Sequence, residues 1–280
     1  MNSIRIPAVQ GRFYPSDKDD ILSNLKRMED YAEIDPRISE NCTIIGGVVP
    51  HAAHVYSGTQ TTELFKHLYL NKKQIDTIII INPNHSGVGP AIALDPHDQW
   101  MNALGKVDVD QILNRVLPYE SDASAQEREH SAEVLIPFIQ YYSGEDTPKI
   151  LPICMRDQSA VAARELAKNL HNAIHNTGRK VLLLASSDFS HFLSPEKGYS
   201  RDQLVLERIM DRDITGIEKV VKEKNISVCG YGPIMTLMEY ASEIDPAYKT
   251  KVIARGHSGE VSPSKEVVDY ISMLVSITEE

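Results

Sequence analysis

Three histidines stand in short turns that each follow a strand-like apolar run. Thr43-Ile44-Ile45-Gly46-Gly47-Val48-Val49 leads into Pro50-His51, and Ile78-Ile79-Ile80-Ile81 leads into Asn82-Pro83-Asn84-His85. Val181-Leu182-Leu183-Leu184-Ala185 leads into Ser186-Ser187-Asp188-Phe189-Ser190-His191. Neutral imidazole is the commonest metal ligand and the side chain suited to moving protons near neutral pH. Cys229 lies in a Cys229-Gly230-Tyr231-Gly232-Pro233 loop, where glycine lets backbone approach a site closely. Two imidazoles and one thiolate would make a three-donor site with an open position, suited to copper, iron or zinc rather than magnesium or calcium. Cys42 and Cys154 lie beside or within strand runs and read as small buried hydrophobes.

Asp188 lies three residues before His191, so it could orient that imidazole and raise its basicity. Glu129-His130-Ser131-Ala132-Glu133 is a further polar group. Its carboxylates either cap a helix or bond a ligand histidine from outside. His54, three residues after His51, suits a second ligand or a pocket wall. His67, His171 and His175 fall in helical stretches as surface groups, and His97 and His257 fall in loops.

The elements that must hold these residues follow from the pattern. β-Branched runs apolar on both faces suit central parallel strands covered by helices. Ligands of open α/β sheets sit beyond the carboxyl ends of such strands. The spacing predicts strands over 43–49, 76–81, 149–154, 180–185, 251–254 and 267–277, with short ones near 91–94 and 106–109 on either side of Trp100. Helices are predicted over 17–33, capped by Ser16, and over 59–70, 158–177, 200–212, 215–224 and from the Cys229 loop to about 243. A helix-like run over 129–142 bends or starts at Pro137. Residues 4–15 read as an ordered arm and 34–42 as a linker. Near-continuous strand–helix alternation predicts one α/β domain over 1–280, with a largely parallel or mixed central sheet.

Composition limits the function classes. At 280 residues, with 42% apolar and 24% charged residues, the chain has material for a full core without disulfides. A net charge of −10 and no basic block argue against binding nucleic acid or an anionic membrane. Three cysteines without a disulfide-like pattern, no apolar leader at the first residues and no run of roughly 18 apolar residues make cytoplasmic the expectation. Gly-x-Gly-x-x-Gly after a strand, a P-loop and His-Glu-x-x-His are all missing. No Gly-x-Ser-x-Gly elbow frames Ser186-Ser187, so neither reads as a hydrolase nucleophile.

Taken in order, Pro7-Ala8-Val9-x-Gly11-Arg12-Phe13-Tyr14-Pro15, Pro50-His51-Ala52, Tyr56-Ser57-Gly58, Asn82-Pro83-Asn84-His85, Glu129-His130-Ser131-x-Glu133, Pro137-Phe138, Ser186-Ser187-Asp188-Phe189-Ser190-His191 and Cys229-Gly230-x-Gly232-Pro233 resemble the Memo family. Its prokaryotic form is protein B of the AmmeMemoRadiSam system. The resemblance runs from residue 7 past 233. It implies a fold similar to class III extradiol ring-cleaving dioxygenases, which hold a non-haem iron at the carboxyl edge of the sheet. It also implies His51, His85 and Cys229 as copper or iron ligands, with Asp188 and His191 lining the pocket and His191 where the dioxygenases carry their catalytic base. An AMMECR-like protein and a radical-SAM protein are the implied partners. Two segments depart from the family's pattern: Ala53-His54 stands where Gly-Tyr is usual, and Asn102-Ala103-Leu104-Gly105 where Thr-Pro-Leu-Gly is common. The dioxygenases' third ligand is a carboxylate, whereas a thiolate favours copper(I). Two function classes follow: a copper- or iron-dependent oxidoreductase or dioxygenase-like enzyme on a small molecule, and a non-catalytic scaffold or metal chaperone.

Overall fold

All four isoleucines at 78–81 are completely buried in the computed structural model, which describes residues 3–38, 41–70 and 74–278. Alternation along a strand sends them to opposite faces. Ile79 and Ile81 join one apolar cluster with Leu151 and Leu183, while Ile78 and Ile80 join the other with Leu182 and Leu184. A strand buried on both faces must lie inside a sheet with helices on each side.

The strands are β1 (Ile4–Arg5), β2 (Cys42–Val49), β3 (Thr77–Pro83), β4 (Ile92–Leu94), β5 (Gln99–Asn102), β6 (Gly105–Asp108), β7 (Glu120–Ser121), β8 (Lys149–Met155), β9 (Val181–Ser186), β10 (His191–Leu193), β11 (Lys249–His257) and β12 (Val267–Thr278). The main sheet runs β10-β12-β2-β9-β3-β8-β4-β7, with β11 also on β12; β1, β5 and β6 form a small second sheet. Strands β2, β9, β3 and β8 are parallel, whereas β12 lies antiparallel to β2 and β4 antiparallel to β8, so the sheet is mixed. β2 comes unusually close to β9, since a Cβ on Gly46 would run into the Leu183 carbonyl oxygen.

The helices are α1 (Lys18–Tyr31), α2 (His54–Tyr69), α3 (Gln111–Val116), α4 (Ala123–Gln126), α5 (Ile136–Ser143), α6 (Ala160–Thr177), α7 (Pro195–Met210), α8 (Ile214–Lys224) and α9 (Tyr231–Ile244). α1, α2 and α5 contribute to the Ile78 face; α6, α7, α8 and α9 contribute to the Ile79 face. α6 ends at Gly178, whose φ of 65° is the left-handed conformation of a helix stop.

Several boundaries differ from the sequence reading, each for a local reason. Asp17, rather than Ser16, caps α1 through the amides of Asp19 and Asp20. α2 begins at His54, five residues before the predicted start, because the turn after β2 is only four residues long. The run over 129–142 does start near Pro137, as one of its two readings had it: Glu133–Leu135 is a 3-10 turn and α5 begins at Ile136, with Pro137 in its first turn where a missing N–H costs nothing. Trp100 lies within β5 itself and donates to Asp95. His67 is buried, not a surface group, while His171 is half-buried and His175 exposed. Cys154 is buried and Cys42 half-buried. Within the predicted linker, Pro36–Ile38 is a 3-10 turn, and residues 39 and 40 lie outside the described residues, as do residues 1 and 2 of the segment read as lacking a leader. Among the described residues no helix is long and apolar enough to cross a membrane.

Candidate metal centre

β2, β9 and β3 are adjacent and parallel, so their carboxyl ends open on the same edge. The register sets Val49 beside Ser186, and Ile81 beside Ala185. The turns beyond these strands therefore meet, although His51 and Cys229 are 178 residues apart. Among the described residues, one ligand atom each from His51, His85 and Cys229 lie within 4.8 Å of one another.

Each imidazole is held from outside. Ser186 Oγ donates to the Ser131 carbonyl at 2.7 Å, so it accepts from His51 Nδ1–H, also at 2.7 Å. That tautomer leaves the Nε2 lone pair of His51 facing Cys229 Sγ at 3.1 Å. His85 donates its backbone N–H to Glu129 Oε2 at 2.7 Å and its Nδ1–H to Oε1 at 2.9 Å, which frees Nε2 in the same way. Ser131 joins the two supports: its carbonyl holds Ser186, and its N–H and O–H both donate to Glu129 Oε1. Cys229 Sγ accepts the Asp188 amide at 3.2 Å. The Cys229 loop is fixed by Gln158, which donates to the Cys229 carbonyl and accepts the Gly232 amide. Glycine is needed at 230, where a Cβ would run into the Ser186 carbonyl oxygen.

Two buried carboxylates, Glu129 and Asp188, bring negative charge to the site. Burial, reinforced by His130 and His85, holds His51 well below the usual histidine range, so it is neutral and able to ligate. Burial alone would lower His85, but the Glu129 carboxylate raises it. Burial would raise Glu129, yet its bond to His85 and the charge there lower it to about 2. Burial and the Asp188 charge push the Cys229 thiol well above its ordinary value. An ion held there would have to displace the thiol proton, since the thiolate is the ligating form. Two outward-bonded imidazoles with free Nε2 atoms beside a sulfur donor fit a borderline or soft transition metal.

Other predicted residues divide into those brought to the site and those not. His130 belongs to it: its ring lies 4.8 Å from His85 and 5.3 Å from His51, and burial lowers it to about 4. With His85 and Glu129 it forms a second group of ligand atoms within 4.8 Å of one another. Phe13 of the amino-terminal arm packs edge-on against it. Asp188 is buried and raised to about 6 by that burial, and its carboxylate accepts the amides of His51 and Ala52. It does not orient His191: that imidazole is held by Ser227, whose Oγ accepts the His191 amide and whose carbonyl accepts Nδ1–H, each at 2.8 Å. His191 is near enough for its charge to act on both His51 and Asp188, on the same sheet edge.

His54 and Glu133 are not in the site. As the first residue of α2, His54 turns inward, donates Nε2–H to the Val134 carbonyl and packs between Tyr14 and Phe138. It is neither a second ligand nor a pocket wall beside His51. Glu133 bonds no histidine; its buried carboxylate accepts from Arg5, the amides of Ala8 and Val9, and the Tyr14 hydroxyl. It anchors the arm that carries Phe13. The departing segment at Asn102–Gly105 is the turn between β5 and β6, where Asn102 donates to Gln140.

Ser186, Ser131, Gln158 and Ser227 escape a reading based on reactive residue types. A signal exists for Ser186, as the last strand position level with the residue before Pro50-His51. Ser186→Ala removes the lock on His51 and is expected to weaken metal binding about 10- to 100-fold. Competition against a chelator of known affinity measures it; a dissociation constant within about twofold of the parent's would remove Ser186 from this role.

A family profile described as Memo-like protein matches residues 5–274. The chain is 37% identical over 275 residues to a MEMO1 family protein of Methanococcoides burtonii, covering 97% of this chain and 100% of that one. A MEMO1 family protein of Pyrobaculum arsenaticum is likewise 37% identical over 282 residues, covering 97% and 98%. Among solved structures, the uncharacterized protein JW3007 from Escherichia coli K12 shares the fold, with a TM-score of 0.51 at 11% identity over 83% of this chain and 99% of that chain. With the profile and these full-length relatives in agreement, the chain belongs to the Memo-like family.

Proposed function

We propose that the protein binds one copper or iron ion through His51, His85 and Cys229 and uses it in an oxidoreductase reaction, dioxygenase-like in arrangement, on a small molecule. The observation carrying this reading is the convergence of two imidazoles, each with Nδ1 bonded outward, on one sulfur donor. A copper or iron ion there would supply one-electron chemistry and Lewis acidity. The chain's own contribution is positional. Ser186 and Glu129 fix the tautomers of His51 and His85, and the Asp188 amide steadies Cys229 Sγ. His191 keeps Nδ1 on Ser227, so its Nε2 is the nitrogen available to take a proton from a bound hydroxyl.

The test is metal analysis after anaerobic purification, followed by oxygen uptake with a panel of catechols. About one copper or iron per chain and uptake with any member support the enzyme. The thiolate favours a second reading, a copper(I) chaperone or binding scaffold, which predicts the metal without uptake. An AMMECR-like protein, a radical-SAM protein and a cytoplasmic setting belong to the same proposal; co-purification and cell fractionation test them.

A further inference from the structure

Behind the His191 turn lies a pair of buried carboxyls with no part in the metal centre. Asp202 on α7 is completely buried and Asp269 on β12 is 4% exposed. Asp202 Oδ1 accepts the Ser190 amide at 3.0 Å and the Ser190 hydroxyl at 2.6 Å. Asp269 fastens the same segment through its main chain: its carbonyl accepts the Phe189 amide and its amide donates to the Ser190 carbonyl, each at 2.9 Å. Asp269 Oδ2 lies against Gly198, one helical turn before Asp202 on the buried face of α7, so the two carboxyls are neighbours. Two carboxylates are acceptors only, so a hydrogen bond between them requires a proton. Among the described residues no donor reaches Asp269 Oδ2, and α7 packs so tightly there that a Cβ on Gly198 would run into it.

We propose that Asp202 and Asp269 share one proton and act together as positioning residues that hold the Ser190–His191 turn, and so the aim of His191. This rests on reading His191 as the group that handles a proton; its test uses neither metal nor turnover, so either can fail alone.

The charges around the pair favour one shared proton. On β11, Arg255 Nη2 lies 3.4 Å from Asp202 Oδ2 and favours one negative charge there, while its guanidinium rests 3.7 Å above the Tyr199 ring of α7. Glu260, in the 3-10 turn after β11 and 4.0 Å from His257, opposes a second charge on Asp269. Burial, with the facing Asp269, raises Asp202 to about 7, and burial raises Asp269 as well. An unfolded aspartate titrates near 3.9, so the folded value is the higher one. The pair's contribution to stability is therefore full below about pH 4 and is lost as pH rises through about 7. Above that, two charges press on one another behind the turn.

Asp269→Asn separates a shared proton from plain packing, because the amide still donates to Asp202 but cannot titrate. Amide resonances of Ser190 and His191 in the full-length protein report the turn directly. In the parent both are expected to shift in one transition near pH 7. In Asp269→Asn the transition is absent and both resonances stay at the parent's positions for about pH 6, the singly charged state. Unfolding temperature supplies the second readout: the variant gains about 2–4 °C over the parent at about pH 8.5 and nothing near pH 5. A transition that persists in the variant, resonances displaced at every pH, or a pH-independent difference in unfolding temperature overturns the proposal.

Discussion

Purified without oxygen, the His51→Ala/His85→Ala/Cys229→Ala variant is expected to retain no copper or iron above background, whereas the parent holds about one ion per chain. The size of this effect follows from the site's construction. Ser186, Glu129 and the Asp188 amide are all spent on orienting those three donors. With the donors gone, His130 and Glu129 remain as a pair at the pocket wall, too few for a tight site on their own. A triple variant that binds as much metal as the parent would mean these three residues are not the ligands.

His191→Ala is expected to lower turnover of whichever catechol supports oxygen uptake by about a hundred- to ten-thousand-fold, with metal content unchanged. The imidazole is tied to Ser227, outside the group of converging donors, so its loss should not empty the centre. Loss of metal in this variant would make His191 a ligand and weaken the assignment of Cys229. Full activity with metal intact would end its role as the base and leave the scaffold reading in place.

The convergence of the site could be read from the chain because it depends on local grammar. A run such as Ile78-Ile79-Ile80-Ile81 is explained by a strand buried on both faces, and parallel strands share a carboxyl edge, so His51, His85 and Asp188 must be neighbours. What was hidden depends on partners far away in sequence. Glu133 looks like a helix-start carboxylate until Arg5 and Tyr14, more than a hundred residues earlier, close on it. His54 looks like a companion of His51 until the early start of α2 turns it toward Val134. The mistaken pairing of Asp188 with His191 has the same origin: three residues separate them, but each found a better partner across the fold, at His51 and Ser227. Serines were missed because their role here is to fix tautomers, which leaves no mark in residue type.

The position of β2 has a consequence for how the molecule comes into being. Its two neighbours are β9 and β12, with Val48 level with Ala185 on one side and Met273 on the other. As the chain emerges during synthesis, the strand that leads into His51 has neither edge covered until most of the polypeptide exists. Its side chains are largely apolar and β-prone, and the unpaired N–H and C=O groups along its edges are open to mispairing in the interim. Pairings this distant in sequence make for slow folding. The histidine turns at 51 and 85 are made well before the loop bearing Cys229 and the strand that closes β2. An ion held by all three donors would be taken up only once the Cys229 loop has been made and folded against β2 and β9.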